Sequence, residues 1–382
     1  MSAIGGPNLS EDGLVFYYDT FNQLKSYRGE PTVNYITTMA ANLGGNVSLS
    51  YPNNVYICTA QETNVIDPNA PGGQYSRFTG NTDSDNNQLF TSFADGSVNA
   101  RNTTVAYSVY LKGTGTCHLT VYSDIAGYST TPTINLTGEW TRYSIVQAVG
   151  NYTTHAWSAV RGILTSTNVY VAAQQVEFKS HVTPFINGTR SATQGLLDLT
   201  GNSTIDLTDV SFDSNAQMTF DGTDDTVALG DSSQFNITDS MSVFAWIKPD
   251  SVDYWKGIFG GSISGFVHFQ LYYGGINVYV YGPAAAYGNP DSVSIGTNVW
   301  TNVGFTFGGN TLKVYLNGEQ LPTTVTGNGA NISSNSDVRF GWAYATSRLF
   351  QGRINALEVY NRNLTPTEVK ENFNGIKSRY GI

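Results

Sequence analysis

Residues 241–248 read MSVFAWIK, and both alternating sets of that run are apolar: Val243, Ala245 and Ile247 on one side, Phe244 and Trp246 on the other. An extended strand repeats every two residues, so large apolar groups on both sides require cover on both faces of its sheet. This demand points to a central strand of a layered β structure, with Gly- and Asp-rich turns at its ends. Further strand-like runs at 265–273, 276–281, 299–307, 311–317, 336–340 and 352–360 are separated by Gly274-Gly275, Gly308-Gly309-Asn310 and Asn317-Gly318. Gly-Gly and Asn-Gly provide the positive φ of two-residue hairpin turns, so 312–316 is predicted to pair back onto 299–307 and onward past Asn317-Gly318.

The rest of the chain repeats this pattern, with one interruption. GLVFYYD at 13–19 alternates Leu14, Phe16 and Tyr18 with Val15 and Tyr17, and a loop follows it. From about 34 a second all-β stretch begins, with TVAYSVYLKG (104–113), CHLTVYSD (117–124), EWTRYSIVQAV (139–149) and NVYVAAQQVEFKS (168–180). The fold class is therefore all-β: two antiparallel sandwiches of jelly-roll type with a short C-terminal helix. The domain reading is discontinuous. Residues 1–33 contribute a strand to the C-terminal sandwich, 34–189 are an inserted jelly roll, and 190–382 are the sandwich itself. Two tandem domains with an N-terminal strap are the simpler alternative. The one clear helix signal is near the end, where Thr365 precedes Pro366 and Glu368 stands three residues on, a capping box with Pro at the first helical position. Val369 and Phe373, four apart, should face the sandwich.

Only 13% of the 382 residues are charged, while 40 are Gly and 24 are Tyr, so the surface must be neutral and polar. A net charge of −10 without any Lys/Arg run repels a nucleic-acid backbone, and nucleic acid is discarded as a partner. The opening MSAIGGPNLSEDGLVFYYD has no basic segment followed by an apolar core, and no run approaches about 18 uninterrupted apolar residues. The expectation is a soluble chain with no recognisable export signal and no membrane insertion. Cys58 and Cys117 lie far apart without a CxxC, which favours two buried free thiols over a disulfide or a metal site.

MTFDGTDDTV, SVFAWIK, WTNVGFTFGGNTLKVYLNGEQL and FQGRINALEVYNRNLTPTEVKENFN, in that order and spacing, resemble the laminin-G-like branch of the concanavalin A-like lectin/glucanase sandwiches. In that family an opening strand such as 13–19 pairs with the last strand, here 352–360. YSVYLKG, LTGEWTRYS and QVEFKSHVTPFINGT together resemble carbohydrate-binding-module-like jelly rolls, over about 100–189. The combined arrangement resembles appendage and surface proteins of tailed bacteriophages. It implies a non-enzymatic virion structural protein (tail fibre, head fibre or capsid decoration) that is assembled in the host bacterial cytoplasm and carried on the virion. Its partners would be other virion proteins and a host-surface glycan, and its oligomer a symmetric one, with a trimer as first guess. The alternative is a concanavalin-fold polysaccharide depolymerase or glycoside hydrolase.

Glycosidases need two carboxylates flanking a cleft, about 5–9 Å apart. The Glu-x-Asp-x-x-Glu pattern of the resembled enzymes is missing, a Gly-x-Ser-x-Gly elbow is missing, and the four histidines are isolated, with His268 read as a satisfied strand residue. No catalytic residue and no enzyme activity are assigned. Asp221, Asp224 and Asp225 place three carboxylates beside Gly222, an oxygen-rich turn suited to calcium. The same residues are also ordinary hairpin-turn residues, and no cofactor is required. Tyr254, Trp255, Tyr272, Tyr273, Tyr287, Trp342 and Tyr344 fall at loops or strand ends. There flat rings can stack on sugars while Arg348 bonds hydroxyls, or the rings can plug the core or meet protein neighbours.

Overall fold

The computed structural model describes residues 9–36, 58–81, 88–92, 101–152, 156–262, 265–282, 286–288, 293–327, 331–345 and 347–382, with the backbone alone at 60, 63, 90–92 and 286–288. The chain forms two compact units. Unit 1 draws on the segments up to Pro31, Ser191–Asp213 and Gln217–Ile382, and unit 2 on Thr32–Arg190 with Ser214–Ala216. Among the described residues no helix is long and apolar enough to cross a membrane.

Unit 1 opens on Leu14–Asp19 (β1), after which the chain enters unit 2. There Thr59–Ile66 (β2), Gln74–Thr79 (β3), Thr104–Thr114 (β4), Thr141–Ala148 (β5) and Asn168–Glu177 (β6) form an antiparallel sheet in the order β5-β4-β6-β3-β2. A second sheet runs Gln88–Ser92, Ala156–Arg161, Thr116–Ser123, Gly127–Thr130, with Ile134–Asn135 paired to Thr116–Ser123. On β4, Val105, Tyr107, Val109 and Leu111 enter the core with Leu119, Val121, Val169 and Val171, whereas in the other set Ala106 and Ser108 are buried too and Tyr110 and Lys112 are half-buried. Cys58 and Cys117 are buried free thiols, both pushed up to about 12 by burial, hence protonated and unreactive.

Back in unit 1, the strands are Met218–Asp221 (β7), Met241–Pro249 (β8), Lys256–Gly260 (β9), Val267–Tyr272 (β10), Gly275–Val280 (β11), Thr301–Gly308 (β12), Thr311–Leu316 (β13), Val338–Phe340 (β14) and Gln351–Tyr360 (β15). One sheet runs Ser211–Phe212, β7, β15, β8, β12, β13, Glu319–Thr326, and β1 also pairs with β15. The other runs Val227–Gly230, β14, β9, β10, β11, Ala286–Gly288. The Asn317-Gly318 hairpin forms as the sequence predicts, with φ of +50° and +77°. The Gly274-Gly275 turn is shifted by one residue: Tyr272 pairs with Gly275, so Tyr273 and Gly274 form the turn.

The two apolar faces of β8 meet two different cores. Val243, Ala245 and Ile247 join the cluster between the sheets, with Phe269, Val278, Phe305 and Leu357. Phe244 and Trp246 join a second cluster on the outer face, with Tyr17, Tyr315, Val369, Phe373 and Tyr380. Gly304, opposite Phe244, leaves room for that ring, since a Cβ there would lie 2.1 Å from it. Trp246 is stacked on Tyr380 at 3.9 Å and on Phe373 at 5.5 Å. Pro366–Ile376 (α1) covers this face. Its capping box is complete: Glu368 N–H donates to Thr365 Oγ1, and Thr365 N–H donates to Glu368 Oε2 at 2.8 Å. Arg362, at 2.6 Å, holds the Glu368 carboxyl at about 2.

Beneath α1 lies a buried polar group. Tyr360 Oη and Asn372 Nδ2 donate to Glu358 Oε2 at 3.3 and 3.2 Å, and Arg379 pairs with Asp19. Burial pushes Glu358 up to about 8, so it is held protonated at neutral pH.

Candidate functional site

Period-two alternation on β10 and β11 sends Val267, Phe269, Leu271, Ile276, Val278 and Val280 into the core. The other set, His268, Gln270, Tyr272, Asn277 and Tyr279, occupies the opposite face, where Gln270 Nε2 donates to Asn277 Oδ1 at 2.9 Å. Rings collect on that face. Trp255 stacks on Tyr272 at 4.0 Å, Tyr254 lies within 6.0 Å of Trp255, Tyr272 and Tyr273, and the Arg348 guanidinium is sandwiched 4.1 Å from both Trp255 and Tyr344. Arg348 also donates to Gln270 Oε1 at 3.2 Å. Tyr344 then meets His268 at 4.9 Å, and His268 meets Tyr281 at 4.7 Å, which continues the strip.

Six of the eight aromatic and arginine candidates are thereby brought together: Tyr254, Trp255, Tyr272, Tyr273, Tyr344 and Arg348. Tyr254 and Tyr273 are 59% and 67% exposed, so the strip opens to solvent at that end. Tyr273 and Tyr344 share a further property: both hold left-handed backbone, with φ of +47° and +74°. For a bulky side chain that conformation is unfavourable by about 1–2 kcal/mol. Tyr287 is described by its backbone alone, opposite Tyr279 on the edge strand Ala286–Gly288. His268 is a buried strand residue, 2% exposed, that bonds the Ser262 backbone; its Nε2 has no partner among the described residues, and burial lowers its pKa to about 4, so it is neutral.

Trp342 lies elsewhere. It is 7% exposed rather than a loop-surface ring, and it lines a cleft of about 670 Å³ with Ser211, Asp224, Asp225, Asp337 and Arg339. The bridge between Trp342 and Leu349 closes a loop that sends Trp342 into this cleft and Tyr344 and Arg348 into the ring strip. The pairing of Val227 with Phe340 brings the acidic turn beside it. Asp337, at 2.7 Å from Arg339, and Asp209 on the cleft wall have no sequence signal of their own; only strand pairing reveals them.

Asp221, Asp224 and Asp225 offer carboxylate oxygens that all lie within 4.8 Å of one another. Much of the turn is already braced. Asp221 Oδ1 accepts from Thr223 N–H at 2.6 Å, Asp225 Oδ2 accepts from Asp221 N–H at 2.7 Å, and Ser211 donates to Asp225 Oδ1 at 3.1 Å. The Thr223 N–H lowers the Asp221 pKa, whereas burial raises that of Asp225. Asp224 is exposed, and no hydrogen bond to its carboxylate is found among the described residues. Hard oxygen donors at this spacing fit a calcium ion, each with lone pairs to spare.

Residues 221–370 form a concanavalin A-like domain, matching the family of concanavalin A-like lectin/glucanases. The match begins at the acidic turn and ends within α1. No curated protein matches the chain. Among solved structures, domain 4 of an extracellular arabinanase from Geobacillus stearothermophilus, in complex with arabinotriose, is 20% identical. The alignment covers 48% of this chain and 92% of that domain, with a TM-score of 0.38. The binding domain of Paraclostridial Mosquitocidal Protein 1 is 16% identical over 47% of this chain and 49% of that one (TM-score 0.41), and a Trypanosoma rangeli sialidase mutant is 16% identical over 48% and 31% (TM-score 0.37). The chain therefore spans half or less of the latter two, and nothing about its own ligands rests on these likenesses.

Proposed function

We propose that this protein is a non-enzymatic structural component of a tailed-bacteriophage virion, displayed as a fibre or decoration, that holds a host-surface glycan on the ring strip of unit 1. The observation that carries the glycan part is the pair of tyrosines, Tyr273 and Tyr344, kept at positive φ on one strip of rings. Strain of this kind persists where a side chain's position is worth more than its backbone cost, and here the positioned groups are flat faces and phenol hydroxyls. The groups around Arg348 are rings and an amide, which suit stacking and hydrogen bonding to hydroxyls. A single sugar site of this type holds its ligand at roughly 0.1–1 mM, so adhesion would come from many copies on one particle. The virion setting is supported by the sequence resemblance and the neutral-polar composition. It implies other virion proteins as partners and a symmetric oligomer, with a trimer as first choice.

The test presents the full chain on beads to host-surface polysaccharide. Binding that is lost in Trp255→Ala and Tyr273→Ala, both folded, supports the reading, and beads that never bind host polysaccharide refute it. A map of the intact particle, or labelling with antibody to the chain, decides the virion assignment separately.

The second reading, a polysaccharide hydrolase, is favoured by the cleft of Trp342, whose wall carries Asp225, with a pKa raised by burial, along with Asp209, Asp224 and Asp337. A carboxyl raised by burial on a cleft wall is suited to act as a general acid. New reducing ends in the same incubation, lost in Asp225→Asn, would establish it. Calcium in the acidic turn is proposed on the fit described above. Chelation should lower Tm, and Asp224→Ala should remove that response while sparing the hydrogen bonds of Asp221 and Asp225.

A further inference from the structure

On unit 2 the outward set of the β5-β4-β6-β3-β2 sheet carries a row that crosses it. Glu62 on β2 is in register with Arg77 on β3, Arg77 with Tyr170 on β6, and Tyr170 with Lys112 on β4. Leu111 pairs with Thr141, so Trp140, the residue before β5, stands next to Lys112. Tyr75 lies two residues from Arg77, on the same side of β3.

Side chains complete what the register begins. Lys112 Nζ lies 4.8 Å from the Trp140 ring, 5.1 Å from Tyr170 and 5.9 Å from Tyr75. Tyr75 and Tyr170 are 5.5 Å apart with planes at 58°, and Tyr75 and Trp140 are 6.3 Å apart at 52°, so the rings make a cradle and not a flat stack. All four side chains are half-buried and reachable from solvent. Arg77 is paired with Glu62 at 3.2 Å, but no carboxylate is paired with Lys112 among the described residues. In the next row Arg142, over Tyr110 at 5.8 Å, gives its hydrogen bonds to Ser108 and to the Thr183 carbonyl.

We propose that this face binds an acidic saccharide, a hexuronate-type sugar whose carboxylate meets Lys112 while its C–H face lies on Trp140 and Tyr170. A chain of net charge −10 repels anions in general, so the cation available here selects for a ligand that brings its charge to one place. Three ring faces strip part of the water from the ammonium while leaving its charge uncompensated, which strengthens its pull on an incoming carboxylate. A uronic acid joins an apolar ring face and a carboxylate in one residue, and the cradle offers their complements side by side. This site is independent of the ring strip of unit 1.

The test titrates the full chain by calorimetry with trisaccharides of galacturonate, mannuronate and glucuronate, and with their methyl esters. The expected result is binding of at least one uronate that weakens with added salt. Esterification, Lys112→Met and Trp140→Ala should each weaken it by about tenfold, the loss of one charge-assisted hydrogen bond or one stacked ring. Lys112→Met keeps the stem that packs on the rings, so the variant should fold. Trp255→Ala in unit 1 should leave this binding unchanged. The proposal is overturned if no uronate binds, if esters bind as well as acids, or if Lys112→Met binds like the parent. Loss in Trp255→Ala instead would assign the binding to the ring strip and leave the glycan reading of unit 1 standing.

Discussion

Arg348 in unit 1 and Lys112 in unit 2 are both surrounded by aromatic rings, yet they differ in what else holds them. Arg348 lies at 4.1 Å from two rings, its guanidinium donates to Gln270, and burial lowers its pKa. Lys112 stands farther from its rings, at 4.8–5.9 Å, and no hydrogen bond fixes it among the described residues. The planar, multidentate cation serves as a structural pin that fixes Trp255 and Tyr344, whereas the point charge on a flexible stem remains free for an incoming anion. Rings around a cation therefore serve two ends: around Arg348 they present their own faces from a pinned scaffold, and around Lys112 they leave the charge itself to meet a ligand.

The sharpest way to break this contrast is Arg348→Ala. It removes two close ring contacts and a charged hydrogen bond, and should cost about 2–4 kcal/mol, seen as a lower denaturation midpoint. A variant as stable as the parent would erase the distinction from Lys112. The next effect is pH-dependent. His268, beside Tyr344, has a folded pKa of about 4 against 6.5, so its contribution is present above pH 6.5 and is lost as pH falls through that window toward 4. Full protonation would cost about 3 kcal/mol, and His268→Phe should flatten the profile below pH 6.5. Tyr273→Gly should stabilise by about 0.5–1 kcal/mol by relieving the positive φ, while weakening bead binding to host polysaccharide. A gain in stability with binding intact would show that the strained ring does not serve the ligand. Smallest of all, Lys112→Met should change stability by less than about 0.5 kcal/mol, since its stem still covers the rings.

Local patterns in the sequence account for much of this structure. The two-faced run at 241–248, the Asn317-Gly318 turn and the Thr365 capping box each depend on a few adjacent residues, and each forms as that text implies. The three-aspartate turn was equally visible because its members are neighbours. What the sequence hides is assembled by strand order. Trp342 meets the acidic turn through the pairing of Val227 with Phe340, and Lys112 meets Tyr75, Trp140 and Tyr170 through the pairings of Leu111 with Thr141, Lys112 with Tyr170 and Arg77 with Tyr170, all distant in sequence. Alternation could have placed Tyr110 and Lys112 on the outward set of YSVYLKG, but which strands flank it is not a local property. The one-residue shift at Gly274 has the same origin: the β10–β11 register puts Tyr273 in the turn despite its backbone cost.

The pairing of β1 with β15 also bears on how the molecule is made. Asp19 lies opposite Ala356, and β15 is at once the last strand and the one that joins β1, β7 and β8. During synthesis at about 5–20 residues per second, β1 waits on the order of 20–70 s for its neighbour. Over that interval the strands of unit 2 emerge and can pair among themselves, while Phe16, Tyr17 and Tyr18 have no sheet to join. Unit 1 therefore closes only once β15 has left the ribosome, and until then Phe16, Tyr17 and Tyr18 lack the neighbour that covers them.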